Sequence, residues 1–194
     1  AKQHTQITFD HDTVDRVFRP GRQCMNFVSA LRRMERIVFK PAPRRANRFL
    51  LRCRKRIKAL PELLKGLKDK DAAVRFWAAT GIGNVGKPLK EVTTACLGIL
   101  EKEGSTIVRI AVARALLRMQ TEEKKAITEL SKSLKSAEQW SRLHAAIVLD
   151  EANEKARPAL PALKNALKNQ PNKYIVRVAN KAVNDLLGTA NTVK

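Results

Sequence analysis

The chain has 194 residues, 44% of them hydrophobic and 5% aromatic, with 39 Lys and Arg against 18 Asp and Glu for a formal charge of +21. No apolar run approaches the roughly 20 residues of a membrane-spanning helix, and the amino terminus lacks the apolar core of a secretory signal, so the sequence as given is expected to be soluble, with its compartment open. The charge is uneven: residues 1 to 60 hold 16 basic and 4 acidic groups, leaving 23 against 14 for the remainder.

In chain order, residues 1 to 20 show neither periodicity nor a hydrophobic run, and Pro20-Gly21 reads as a turn. Two readings stay open there, a disordered arm or a strand-like arm lying on the rest of the molecule. Cys24, Phe27, Val28, Leu31, Met34, Ile37 and Val38 then form a helical stripe closed by Pro41 and Pro43. Arg44, Arg45, Arg48, Arg52, Arg54, Lys55, Arg56 and Lys58 follow with no acidic residue among them, around an apolar line of Phe49, Cys53, Ile57 and Leu60. This basic helix is either a capping unit with solvated charges or a surface for phosphate, on nucleic acid or an anionic membrane, with an acidic protein as a further possible partner.

From residue 59 the pattern changes to helix pairs. Pro61 suits a first helical turn, and Leu60, Leu63, Leu64 and Leu67 make one stripe. Asp69-Lys70-Asp71 makes a turn, and Asp71 is placed to cap a second helix that Gly81, Gly83 and Gly86 end. Further pairs are expected over 88 to 103 with 105 to 119, 122 to 136 with 137 to 152, and 156 to 168 with 172 to 187. Val74-Arg75, Val108-Arg109, Ser141-Arg142 and Val176-Arg177 recur at separations of 34, 33 and 35 residues, the mark of a repeat array. Alanine-rich second helices would let neighbouring repeats approach closely.

The stretch Asp69-Lys70-Asp71-Ala72-Ala73-Val74-Arg75-Phe76-Trp77-Ala78-Ala79 resembles the HEAT repeat, a two-helix solenoid unit with an Asp-x-x-Val-Arg start to its second helix. Glu154 to Leu163, with Tyr174 to Asn180, resembles the HEAT-type extension at the carboxyl end of some bacterial sulfatases. That family's C/S-x-P-x-R nucleophile motif is missing, since none of Cys24, Cys53 or Cys96 is followed by proline two positions later. Descent from such a parent would make this the accessory part without the enzyme. It would also imply export, whereas the chain by itself reads as soluble and cytoplasmic by default.

The resemblance implies that Arg75, Arg109, Arg142 and Arg177 form a structural ladder with acidic or carbonyl groups, for which Asp69, Asp71, Glu138 and Asp150 are candidate acids. It also implies that second helices line a concave face, where Arg114, Arg118, Asn180 and Lys181 are candidate contacts. His4, His11 and His144 have no metal-ligand spacing, so no metal and no cofactor is assigned. The iron-binding HEAT-repeat hydroxylases use paired His-Glu dipeptides, which are absent from this sequence. HEAT-like alkylpurine DNA glycosylases remain as an analogy of architecture and charge, with Trp77, Trp140, Asp150 and Glu151 as the residues such a site would use. The three cysteines are read as reduced structural thiols.

These readings converge on an all-α, right-handed α–α superhelix, a HEAT/ARM-like solenoid of about four helix pairs with an atypical N-terminal helical cap. Residues 1–58 form the basic arm and capping helices, 59–188 the repeats and 189–194 a tail. The expected role is a non-catalytic scaffold for macromolecular, chiefly protein–protein, interaction. The alternative is nucleic-acid or polyanion binding through the basic face.

Overall fold

A computed structural model describes residues 57–168 and 171–193. The expectations for the arm, the Cys24 to Val38 stripe and Arg44 to Arg56 fall outside those residues. A 3-10 turn, Ile57–Ala59, leads into α1 (Leu60–Gly66) and α2 (Ala72–Val85), followed by α3 (Lys90–Lys102) and α4 (Thr106–Arg118). Next come α5 (Glu123–Ser133), α6 (Gln139–Ala152), a second 3-10 run (Asn153–Ala159), α7 (Leu160–Asn165) and α8 (Lys173–Leu187). Among the described residues there is no strand, and helices pack in consecutive pairs as a solenoid.

The second helices of the pairs form the tight layer. α2 packs on α4, α4 on α6 and α6 on α8, while α1, α3 and α5 make few contacts with one another. A row that is close on one side and splayed on the other curves toward the close side, which puts α2, α4, α6 and α8 on the inner face. Composition explains the asymmetry. In α4 every residue from Ile110 to Leu117 is buried, so this helix is covered nearly all round, and only small side chains allow neighbours on so many sides. The terminal helix α8 instead buries one stripe, Ile175, Val178, Ala179, Ala182, Val183 and Leu186, and leaves its other face in water.

Local signals act where the residue types place them. Pro61 lies in the first turn of α1, and the Asp71 carboxylate accepts a hydrogen bond from the Ala73 N–H at 2.8 Å, capping α2. Replacing Asp71 by Ala is expected to cost about 1 kcal/mol, read as a lowered denaturation midpoint at unchanged slope. An unmoved midpoint would mean the N–H groups of α2 find water equally well.

Two expectations are corrected. Gly81 and Gly83 do not end α2, which runs through both and stops at Gly86, the residue in the left-handed region at φ 66°. The first two glycines serve packing: a Cβ on Gly81 would lie 2.6 Å from Leu63 Cδ2, and one on Gly83 would lie 3.0 Å from the Ala115 Cα. The expected helix over 156 to 168 is also shorter, with α-helix only over Leu160–Asn165. Pro158 sits inside the preceding 3-10 run, where it lacks the N–H that an α-helical turn would use, and Asn153 opens the run at φ 50°.

Candidate functional site

The repeat arginines project from the first turns of the second helices. Arg75 Nη1 donates to the carbonyls of Asp69 at 2.8 Å and Lys70 at 3.0 Å, in the turn before its own helix. Its Nε and Nη2 grip the Glu103 carboxylate at 2.6 and 2.9 Å, a bidentate pair across to the end of α3. Arg109 repeats the design, with Nη1 on the Glu103 carbonyl at 2.7 Å and Nε on Glu129 of α5 at 2.6 Å. Arg142 donates to the carbonyls of Ser136 and Ala137 at 2.7 and 2.8 Å. Arg177 is exposed in the last pair.

The carbonyl rule is regular: the acceptor lies six residues before the arginine in each of these three rungs. The acids differ from the candidates read in the sequence. Asp71 and Glu138 instead cap α2 and α6, and Asp150 pairs with Lys181. Glu103 and Glu129 belong to the first helix of the following pair and its cap, at offsets of 28 and 20 residues. Those unequal offsets left no period to detect.

Burial raises the Glu103 carboxyl, but its bonds from Arg75 and from the Ser105 N–H outweigh this and hold it below the ordinary value. Arg75 is correspondingly raised, chiefly by Glu103. Replacing Arg109 by Ala strands the Glu129 carboxylate and the Glu103 carbonyl, both part-buried, and is expected to destabilise by ~1 to 3 kcal/mol. Chemical denaturation measures it, and an unchanged midpoint would remove the bracing role.

A second line of charge crosses the other ends of the same helices. Arg118 Nη1 donates to Asn84 Oδ1 on α2 at 2.6 Å, and its Nη2 lies 3.9 Å from Glu151 Oε2 on α6. Arg114, 7% exposed, holds the Glu151 carboxylate in two bonds of 2.8 and 2.7 Å. Lys181 of α8 reaches Asp150 of α6 at 2.8 Å and its own neighbour Asp185 at 2.6 Å. Burial raises the Asp150 carboxyl above its ordinary value against the pull of Lys181.

Asn180 and Asn184 donate side-chain N–H groups to the Asn191 carbonyl at 2.7 and 2.8 Å, folding the tail onto α8. The four residues assigned to partner contact on the inner face are therefore engaged inside the chain, in helix-to-helix bridges and in tail docking. Sequence reasoning did not join Asn84 to Arg118 or Glu151 to Arg114, because only the packing of α2, α4 and α6 brings them into line, and it passed over Asp185, one turn from Lys181 on α8.

The amino ends of these helices carry the aromatic groups. Phe76 of α2 meets Trp77 edge-on with ring centroids 5.3 Å apart, and His144 of α6 at 5.9 Å. Burial, together with the positive charge of Arg114, pushes His144 down to about 3, so the imidazole is neutral at physiological pH. Trp77 is buried, whereas Trp140 is half-buried in the first turn of α6. Asp150 and Glu151 lie at the far end of α6, about 15 Å along the axis from Trp140 at 1.5 Å per residue. The groups a base-excising site would use are thus apart, and both carboxylates are tied to cations.

Lys58 is exposed in the opening 3-10 turn, and the other seven cations of the basic run lie outside the described residues. Cys96 is fully buried in α3, and burial pushes its thiol up to about 12, which leaves no thiolate for chemistry. Among the described residues, no group of three or more His, Cys, Asp or Glu is placed to hold a metal ion, and no helix is long and apolar enough to cross a membrane.

No curated protein matches the chain. The paired helices α1 and α2, with the Asp71 cap and the Arg75 rung, lie within residues 59–89, the stretch that matches the family model for the HEAT repeat.

Proposed function

We propose that the chain is a non-catalytic HEAT-type scaffold that presents its array to a protein partner. One observation carries this reading: the polar groups of the inner face are engaged in bridging helix to helix, as in Asn84–Arg118–Glu151–Arg114 and Asp150–Lys181. Such bracing suits rigid recognition, in which a preformed surface is offered with little rearrangement. HEAT repeats commonly serve protein interaction, and a helical repeat scaffold is the coarse role that the residue 59–89 match supports. The wider array, 59–188, and the basic unit before it belong to the same proposal as two functional parts.

The test is affinity purification with the intact chain as bait from extracts treated with nuclease, followed by cross-linking of any stoichiometric protein and mapping of the linked residues. A protein retained after nuclease treatment, with links on α2, α4, α6 or α8, supports the scaffold. Retention that disappears with nuclease would overturn it.

A second reading, polyanion binding, is favoured by the +12 balance of residues 1 to 60. Arg44, Arg45, Arg48, Arg52, Arg54, Lys55, Arg56 and Lys58 are its contacts there, by release of counterions from a phosphate polymer. A salt series with duplex DNA and heparin tests it, a steep logarithmic slope being the supporting result.

A further inference from the structure

The last helix pair differs in charge from the rest of the described array. From Lys155 to Asn184 there are seven cations and no acidic residue. Three are matched by carboxylates from outside that stretch: Lys155 by Glu123, Arg157 by Glu154 and Lys181 by Asp150 and Asp185. The other four, Lys164, Lys168, Lys173 and Arg177, are exposed, and no described carboxylate lies within ion-pairing distance of any of them.

Their placement follows from the backbone. Lys164 lies in the last turn of α7, and the bonds from the Leu167 N–H to the Lys164 carbonyl and from the Lys168 N–H to the Asn165 carbonyl carry the helical path one turn further. Lys164 and Lys168 therefore share a side. Lys173 begins α8, and Arg177 stands one turn along the same helix, four residues on. α7 and α8 pack against each other through a short connection, so the end of one and the start of the other lie together. The four cations thus gather at one end of the pair.

Elsewhere in the described array acid-free stretches are shorter, the longest running from Ala72 to Lys90, so exposed lysines there have acidic residues nearer in sequence. A set of four without that relief repels itself and is relieved by an anion. The exposed large apolar residues of the described chain are Ile57, Leu89 and Leu187, none of them at this end of the pair. A protein interface would need a desolvated apolar centre, which this surface does not offer.

We infer that Lys164, Lys168, Lys173 and Arg177 form a docking surface for the phosphodiester backbone of a nucleic acid. This rests on the polyanion reading and moves part of its footprint from the amino-terminal run to the last repeat. The shared chemistry is oxyanion recognition, in which lysines supply point charge and Arg177 a bidentate fork.

The test uses the full chain, a fluorescent 20-base-pair duplex and heparin over a salt series from about 50 to 300 mM. One variant carries Lys164→Glu, Lys168→Glu, Lys173→Glu and Arg177→Glu. A control carries Lys87→Glu, Lys90→Glu, Lys124→Glu and Lys132→Glu, with the same change of net charge at exposed sites, and circular dichroism verifies both folds. The expected result is a loss of duplex affinity of at least about tenfold at 150 mM salt, with the logarithmic salt slope shallower by about 3, in the first variant only.

An equal loss in both variants would overturn the inference, because net charge alone would then explain binding. So would an effect confined to heparin, which would assign the surface to sulfate esters. Wild-type chain that binds no duplex would overturn the polyanion reading itself, whereas wild-type binding untouched by the first variant overturns only this placement.

Discussion

Gly83→Val is expected to lower stability by about 3 kcal/mol and to shift the denaturation midpoint without changing the slope. The second helices α2 and α4 approach so closely at this point that a Cβ on residue 83 would stand 3.0 Å from the Ala115 Cα, 3.3 Å from its Cβ and 3.4 Å from Arg118 Cδ. A side-chain neighbour could turn away, but the Cα of a helix buried on nearly every side cannot. The gain in helix propensity on leaving glycine, at most about 1 kcal/mol, is smaller than the clash and weaker still for a β-branched residue. Adding Ala115→Gly relieves the 3.3 Å contact and leaves the 3.0 Å one, so the pair should recover only part of the loss. Full recovery would mean that the backbones can separate, and that the close inner layer is not what sets the spacing of the repeats.

Acid should unfold the array earlier than its carboxylates require, and His144 is the cause. Its folded value is pushed down to about 3 from an ordinary 6.5, so below pH 6.5 the unfolded chain takes up a proton that the folded chain refuses. Its contribution is complete above pH 6.5 and is lost as pH falls toward the folded value, at up to about 1.4 kcal/mol per pH unit. Between pH 6.5 and 4.5 the wild type is expected to lose about 2 kcal/mol. His144→Leu, which keeps an apolar group against Phe76 and beside Arg114, should flatten that limb.

Two carboxylates are shifted as well. Glu103 is held below its usual range, so its stabilisation disappears as pH falls through that depressed value. Asp150, raised by burial, has the opposite sign and gains stability as pH falls through the carboxylate range. Denaturation midpoints at half-unit steps of pH decide the matter: a His144→Leu curve parallel to the wild type would show that the imidazole titrates freely in the folded chain.

Much of the fold was legible because its signals are local. The recurrence of Arg75, Arg109, Arg142 and Arg177 gave the pairing of helices, and Asp71 and Pro61 marked true helix starts. Gly81 and Gly83 were misjudged because a glycine in sequence looks the same whether it ends a helix or lets another helix touch it. Pro158 was passed over because α-helix and 3-10 helix share side-chain spacings closely enough over one turn. The site was far less legible. Glu103, Glu129 and Glu151 meet their arginines across 28, 20 and 37 residues, distances fixed by packing and by no single period. Arg114 and Lys181 were correctly placed on second helices yet assigned to a partner, since sequence cannot show that an acid on the adjacent helix already occupies them.

The arginine rungs have a direction. Arg75 anchors on carbonyls of its own turn and takes its acid from the pair that follows, and Arg109 does the same with Glu129. In these two rungs the pair is completed by its successor and not by its predecessor. Cutting the array after α4 leaves Arg109 behind without the Glu129 carboxylate, whereas cutting before α3 removes Arg75 and leaves Glu103 without its guanidinium. Cutting from the two sides is therefore not equivalent. Fragments that keep the carboxyl half should hold their shape better than fragments of equal length that keep the amino half, and any rearranged or grafted version of these repeats has to carry the acid of the next unit along with the arginine of the last.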